Sequence, residues 1–402
     1  MNYKISSIFI LLIFFSLTGF AQIDIHQAFA FAEKQTALML RNVDSAKAST
    51  TKADLVMPRT INSGGNLVII SSKDWCSGFF PGELWFLYEY TKDAKWLALA
   101  RKFTADEERE KDNADSHDVG FKVYCSFGTG YRLTNDPHYK SVIIEAARTL
   151  TTRFNPIVGS IKSWNNRNGW KFPVIIDNMM NLELLFEATR LSGDSTFYKV
   201  AIAHANTALK NHFRNDYSSY HVVDYDPETG KVIRKQTAQG YADESAWARG
   251  QAWGLYGYTM CYRETKNKIY LEQAEKIAKF ILSNPHLPED LVPFWDYNDP
   301  AIPNAPKDVS AASITASALY ELSSYSTNSK TYKATADKIV KSLTQHYQAK
   351  SGRDKGFLLL HSIGHKPAKS EIDVPIIYAD YYYLEALLRK DKISKGLPVV
   401  NR

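Results

Sequence analysis

The sequence predicts an all-α chain folded as an (α/α)6 barrel, a closed ring of six helical hairpins. Three observations carry this: one helix–break–helix pattern occurs five times, an unpaired helical stretch stands at each end, and the repeats are unequally spaced. In each repeat an apolar helical stretch meets a short polar break, and an aromatic residue opens a second, alanine-containing stretch.

The elements follow in chain order. Residues 1–21 carry Lys4, an apolar run from Ile8 to Leu17 and the small-residue pattern Gly19-Phe20-Ala21. This is the layout of a secretory signal peptide, and its apolar run is about half the ~20 residues that cross a bilayer. Export to the periplasm without a membrane anchor is the expectation, leaving 22–402 as a single barrel domain. An amphipathic helix near Asp24–Val43 opens that domain. The five hairpins turn at Trp96, Tyr139, Tyr198, Tyr270 and Tyr332, which lie 43, 59, 72 and 62 residues apart. Their breaks (TKDA, TNDP, SGDS, TKNK, STNSK) supply the Ser, Thr, Asp and Asn that cap helix starts. A last helix spans Tyr378–Lys390. If the two end helices pair, the hairpins number six and the ring closes. Regular periods would favour an open solenoid instead, and these are irregular.

Composition limits the function. Of 402 residues 45% are hydrophobic, 13% aromatic and 23% charged, as in an ordinary globular protein with a large core. The net charge of +6 is too small for a nucleic-acid stripe and fits an anionic small substrate better. Cys76, Cys125 and Cys261 are far apart beside bulky residues and read as buried thiols, with no metal-ligand spacing among them. Oligomeric state leaves no mark on the sequence.

The segments between hairpins hold most of the Trp, Gly, Pro, Asp and His clusters, the makings of a sugar site at one end of the ring. Sugar-bond chemistry usually needs two carboxyl groups in different surroundings. Asp118, in SHDVGF, precedes Gly120, where backbone can approach closely. Asp177, in FPVIIDNMMNLELL, sits between an apolar run and an apolar helix, so its pKa should rise. Each admits a second reading, Asp177 as a helix N-cap and Asp118 as a loop or cap acid. Asp74, Asp243 and Glu244 read as helix caps, and Asp224 and Asp226 as turn residues of a β-hairpin. Asp380 could face the mouth.

At these residues the sequence resembles glycoside hydrolase family 88, the unsaturated glucuronyl hydrolases. The resemblance runs from about Asp74 to Leu387, through DWCSGFFPGELW, SHDVGF, IIDNMMNLELL, YHVVDYDPETG, GYADESAWARGQAWGLYGY and DVPIIYADYYYLEAL. It implies the same barrel and hydration of the C4=C5 double bond in the unsaturated uronic acid that lyases leave on oligosaccharides, with no metal or cofactor. It further implies that Asp177 is the general acid and base and Asp118 its partner. His117, Trp164, His221, Gln239, Arg249, Trp253 and Trp75 become substrate-binding residues. Arg249 and Trp253 also admit structural readings, as an ion-pair partner of Glu244 and as plain core. Lys366, Lys369 and Ser370 could bind an anionic group of a second sugar. Alternatives are an unsaturated rhamnogalacturonyl hydrolase, against which the NMMNLELL helix argues, and a non-catalytic exported glycan-binding protein. An epimerase on the same barrel would want paired histidine bases.

Overall fold

In the computed structural model, residues 23–165 and 167–400 are described; the expected leader lies outside the described residues. Four of the five polar breaks fold in one way. A helix ends on a left-handed residue (Lys92, Asn135, Gly193 or Lys266), and the next residue (Asp93, Asp136, Asp194 or Asn267) caps the following helix with its side-chain oxygen. The cap distances are 2.8, 3.0, 2.8 and 3.2 Å, each bond contributing about 1 kcal/mol. The fifth break is longer, and Asn328 makes no side-chain cap.

Three residues beyond each of these caps the chain needs a buried aromatic, and Trp96, Tyr139 and Tyr270 supply it. In the third hairpin that position is Phe197, 3% exposed, while the expected marker Tyr198 is 37% exposed. One residue along a helix is a rotation of about 100°, enough to carry a side chain from core to solvent.

The helices pair as α2 (Phe79–Thr91) with α3 (Ala94–Asp106), α4 (Thr129–Thr134) with α5 (Pro137–Thr151), and α6 (Leu182–Ser192) with α7 (Ser195–Asn211). Then come α8 (Ala248–Thr265) with α9 (Lys268–Leu282), and α10 (Val309–Leu322) with α11 (Ser329–Ser342). A π-type turn, Gly120–Gly128, leads into α4, and a 3-10 turn, Ile176–Asn181, leads into α6. The even-numbered helices with their lead-in turns form the inner ring. The last of them, α12 (Ile377–Ser394), packs on both α10 and α2 and so closes it. The opening helix α1 (Ile25–Ala48) lies against α2 and α12 as the sixth outer helix, so the two end helices do meet.

What docks α1 is a glycine. Gly356 has φ +100°, and a Cβ there would lie 2.3 Å from Met39 N and 2.5 Å from the Gln35 carbonyl oxygen. The close approach lets Gln35 Nε2 donate to the Phe357 carbonyl at 2.8 Å.

All six inner helices begin at the same end of the ring, and the short antiparallel strands lie between helices in the segments that reach this end. These are β1 (Leu55–Ile61) with β2 (Leu67–Ser71), β3 (Phe154–Asn155) with β4 (Ser160–Ile161), the three-stranded β5 (Phe172–Ile175), β6 (Val222–Tyr225) and β7 (Val232–Gln236), and β8 (Ser362–His365) with β9 (Ser370–Val374). Below them a layer of rings crosses the barrel axis. Phe121 lies 5.4 Å from Phe79 and 5.2 Å from Trp253, and Tyr382 lies 5.4 Å from Trp253 and 5.9 Å from Phe79. On the far side of this layer a second cavity is lined by paired charges, among them Glu89, Arg132 and Lys392, and by Val399 and Val400 of the tail. No helix among the described residues is long and apolar enough to cross a membrane.

Gly356→Ala should therefore undock α1, costing roughly 2–4 kcal/mol from clash and left-handed strain. Gly352→Ala, at φ +77° with nothing near its Cβ position, should cost about 1 kcal/mol. Denaturant unfolding of the two variants gives the comparison.

Candidate active site

The mouth of the ring is a cleft enclosing about 630 Å3, open solvent at its rim included. It is lined by Trp75, His117, Asp118, Trp164, Asp177, Gln239 and Arg249, seven of the nine residues expected from sequence. His221 and Trp253 are buried behind its wall.

The two carboxyl groups come to line one cleft because Gly120 has no side chain. A Cβ on it would stand 2.6 Å from Asn181 Cα, and this approach lets Phe121 N donate to Asn181 Oδ1 at 3.1 Å. The segment carrying Asp118 is thereby pressed onto the 3-10 turn carrying Asp177. Asp177 is not a side-chain cap of that turn; its carboxyl faces the cleft. Burial pushes it up to about 7, the nearby Asp118 pushes the same way, and Arg249 opposes them. Burial likewise takes Asp118 to about 7 against the pull of Lys122 and a hydrogen bond from Asn181.

Around Asp177 stand two N–H groups without full partners. His221 Nδ1 accepts from the backbone N–H of Ala238 and of Gln239, both at 3.1 Å, which places its proton on Nε2. That nitrogen lies 3.7 Å from Asp177 Oδ2, and neither atom has a hydrogen-bond partner. Burial, reinforced by Arg249, holds the ring pKa well below its ordinary value, so His221 is a neutral donor. Trp253 Nε1 is also unpartnered and turned toward the Asp177 carboxyl. His117, taken down to about 3 by burial and Arg153, touches Asp118 Oδ1 at 3.2 Å through Nε2.

Arg249 does not pair with Glu244. It donates to Asp308 Oδ2 at 2.9 Å, to the Gly364 carbonyl at 2.7 Å and to the Ile363 carbonyl, which ties α8 to α10 and β8. Glu244 instead accepts from Tyr220, and Asp243 from Thr237 N, so neither caps α8. Asp74 binds Arg59 and caps the turn at Cys76 N. Asp226 holds its turn as expected, but Asp224 lies within β6 and accepts from Phe172 N. Asp380 is buried away from the mouth, accepting from Leu358 N and Leu359 N. Lys366 is committed to Asp299 at 2.8 Å and lies over Trp295. The three cysteines are buried and unpaired.

Sequence reading missed Arg59, Arg167, Gly364, His365, Glu371 and Tyr378, which with Phe121 and Ile175 complete the wall. Arg59 stands in an ordinary strand pattern, and only its double pairing with Asp74 and Glu371 draws it into the site. Arg167 lies in a loop and Glu371 in β9, both within segments whose composition already marked them. Among the described residues no group of three or more His, Cys, Asp or Glu is arranged to hold a metal ion.

The sequence model of Glycosyl Hydrolase Family 88 matches residues 65–398. The chain belongs to glycoside hydrolase family 88. It is 52% identical over 342 residues to an unsaturated glucuronyl hydrolase of Formosa agariphila, covering 84% of this chain and 85% of that one. With an unsaturated chondroitin disaccharide hydrolase of Streptococcus pneumoniae it shares 32% identity over 348 residues, or 84% and 86% of the two chains. Among solved structures, an unsaturated glucuronyl hydrolase specific for heparin superposes with a TM-score of 0.87 at 43% identity, covering 92% of this chain and 99% of that one. The family 88 chain is a glycoside hydrolase with the all-α toroid expected from its hairpins.

A carboxyl raised from its unfolded value near 3.9 to about 7 is a liability to folding once it must ionise. The penalty is absent below pH 4, grows as pH rises past the unfolded pKa and is complete above 7, reaching as much as about 4 kcal/mol. Asp177→Asn should therefore resist denaturant better than wild type at pH 8 and match it at pH 4.

Proposed function

We propose that this enzyme hydrates the C4=C5 double bond of an unsaturated uronic acid at the non-reducing end of lyase-cut, glycosaminoglycan-type oligosaccharides. The observation that carries the reading is the pair of buried carboxyl groups, Asp177 and Asp118, each raised to about 7 at the mouth of a family 88 barrel. Protonating an alkene carbon near neutral pH requires a carboxylic acid that still holds its proton there.

In this reading Asp177 gives its proton to C4. Its carboxylate then takes a proton from the water that adds at C5, which restores the acid. The resulting hemiketal opens, and the hemiacetal left at C1 releases the neighbouring sugar, for one water consumed overall. Asp118 binds ring hydroxyls and keeps the Asp177 proton in place through its field. His221, as a fixed Nε2–H donor, and Trp253 hold the carboxyl and the water in position. Trp75 offers a face to the sugar and Trp164, covered by Arg167 and Trp170, an edge; Gln239 and His117 offer hydrogen bonds, and Arg249 sets the local field. The leader pattern in residues 1–21 supports export to the periplasm, where such fragments would be met.

Asp177→Asn should lower the rate of loss of the double bond's ultraviolet absorbance on the order of 10³-fold while the fold persists. Heavy oxygen from labelled water should appear at C5 of the keto acid; label at C1 would mean ordinary glycoside hydrolysis. The rate should fall as pH rises through about 7 and the acid form is lost, with an apparent pKa belonging to the pair. Asp118→Asn removes a charge that raises Asp177, so in its residual activity that limb should move to lower pH. Binding of the disaccharide with no consumption of the double bond would refute the reading.

A further inference from the structure

Two of the three arginines that line the cleft among the described residues are already spent. Arg249 is held by Asp308 and two carbonyls, and Arg59 by Asp74 and Glu371. Arg167 differs. It lines the cleft half-buried, and among the described residues it makes no ion pair and donates no side-chain hydrogen bond. Its guanidinium lies over the face of Trp164, 4.3 Å from the ring centroid, and Trp164 is backed by Trp170 at 5.5 Å in a stacked arrangement. Burial alone lowers its pKa, with no carboxylate acting on it, while its own charge reaches His221 and His365 across the pocket.

A guanidinium that has given up part of its water without gaining a partner is poised to receive an oxyanion. Stacking on an indole pair fixes its plane beforehand, so little rotamer freedom remains to be lost on binding. The arginine whose charge acts on the Asp177 carboxyl is Arg249.

We propose that Arg167 is a specificity-determining residue that binds an oxyanion of the oligosaccharide, either the carboxylate of its terminal uronate or a sulfate on the adjoining sugar. The proposal rests on the substrate reading above, and wild-type turnover of an unsaturated uronyl disaccharide tests that reading separately.

The experiment compares wild type, Arg167→Gln and Arg167→Lys on a sulfated and an unsulfated unsaturated disaccharide over a range of potassium chloride concentrations. Arg167→Gln should lower kcat/KM at least tenfold, mainly through KM, and flatten its salt dependence, with an unchanged melting temperature. Arg167→Lys should recover part of both. A loss on both substrates assigns the carboxylate, and a loss on the sulfated one alone assigns the sulfate. If wild type turns over either disaccharide and Arg167→Gln stays within twofold on both, the proposal is overturned. A loss that the lysine variant does not relieve, with salt dependence intact, overturns it equally, because the guanidinium would then be acting only as packing against Trp164.

Discussion

The site depends on a contact between two backbones. Gly120 lies so close to Asn181 that any side chain on it would collide, and this contact brings Asp118 and Asp177 together in a place with little water. The setting would otherwise favour ionisation. Six inner helices direct their N-termini toward this end, and each terminus favours a nearby negative charge by roughly 0.3–1 kcal/mol. Raising the Asp177 carboxyl from near 3.9 to about 7 corresponds to roughly 4 kcal/mol, several times what any one terminus supplies, so exclusion of water dominates. The same convergence leaves the mouth receptive to an anionic sugar acid.

Ring closure gives that contact its rigidity. The strand pairs are too short to stand alone, with β3 and β4 only two residues each. They hold shape because they join helices whose neighbours fix both ends. Arg249 shows the coupling well: it ties α8, α10 and the β8 strand into one corner of the pocket while its field moderates Asp177.

Much of this was legible in the residues. The helix count, the repeated break and its capping residues are local properties, and local chemistry determines them. The acid pair could be read because an apolar run into a helix forecasts burial, and a glycine forecasts close approach. Failures came where partners lie far apart in sequence. Arg249 meets Asp308 across 59 residues, and Arg59 meets Glu371 across 312, so nearby Glu244 was a false lead. The Phe197–Tyr198 error has another origin: two adjacent aromatics fit the pattern equally, and only the three-residue offset from the cap distinguishes them.

The ring layer of Phe79, Phe121, Trp253 and Tyr382 gives the cleft a floor. The toroid is thus a cup and not a pipe. A polysaccharide cannot be threaded through it or gripped along its length; it can be entered only end-on, by one terminal residue. Each turnover must be followed by exit through the same rim, which makes the enzyme an exo-acting trimmer that takes one terminal residue at a time.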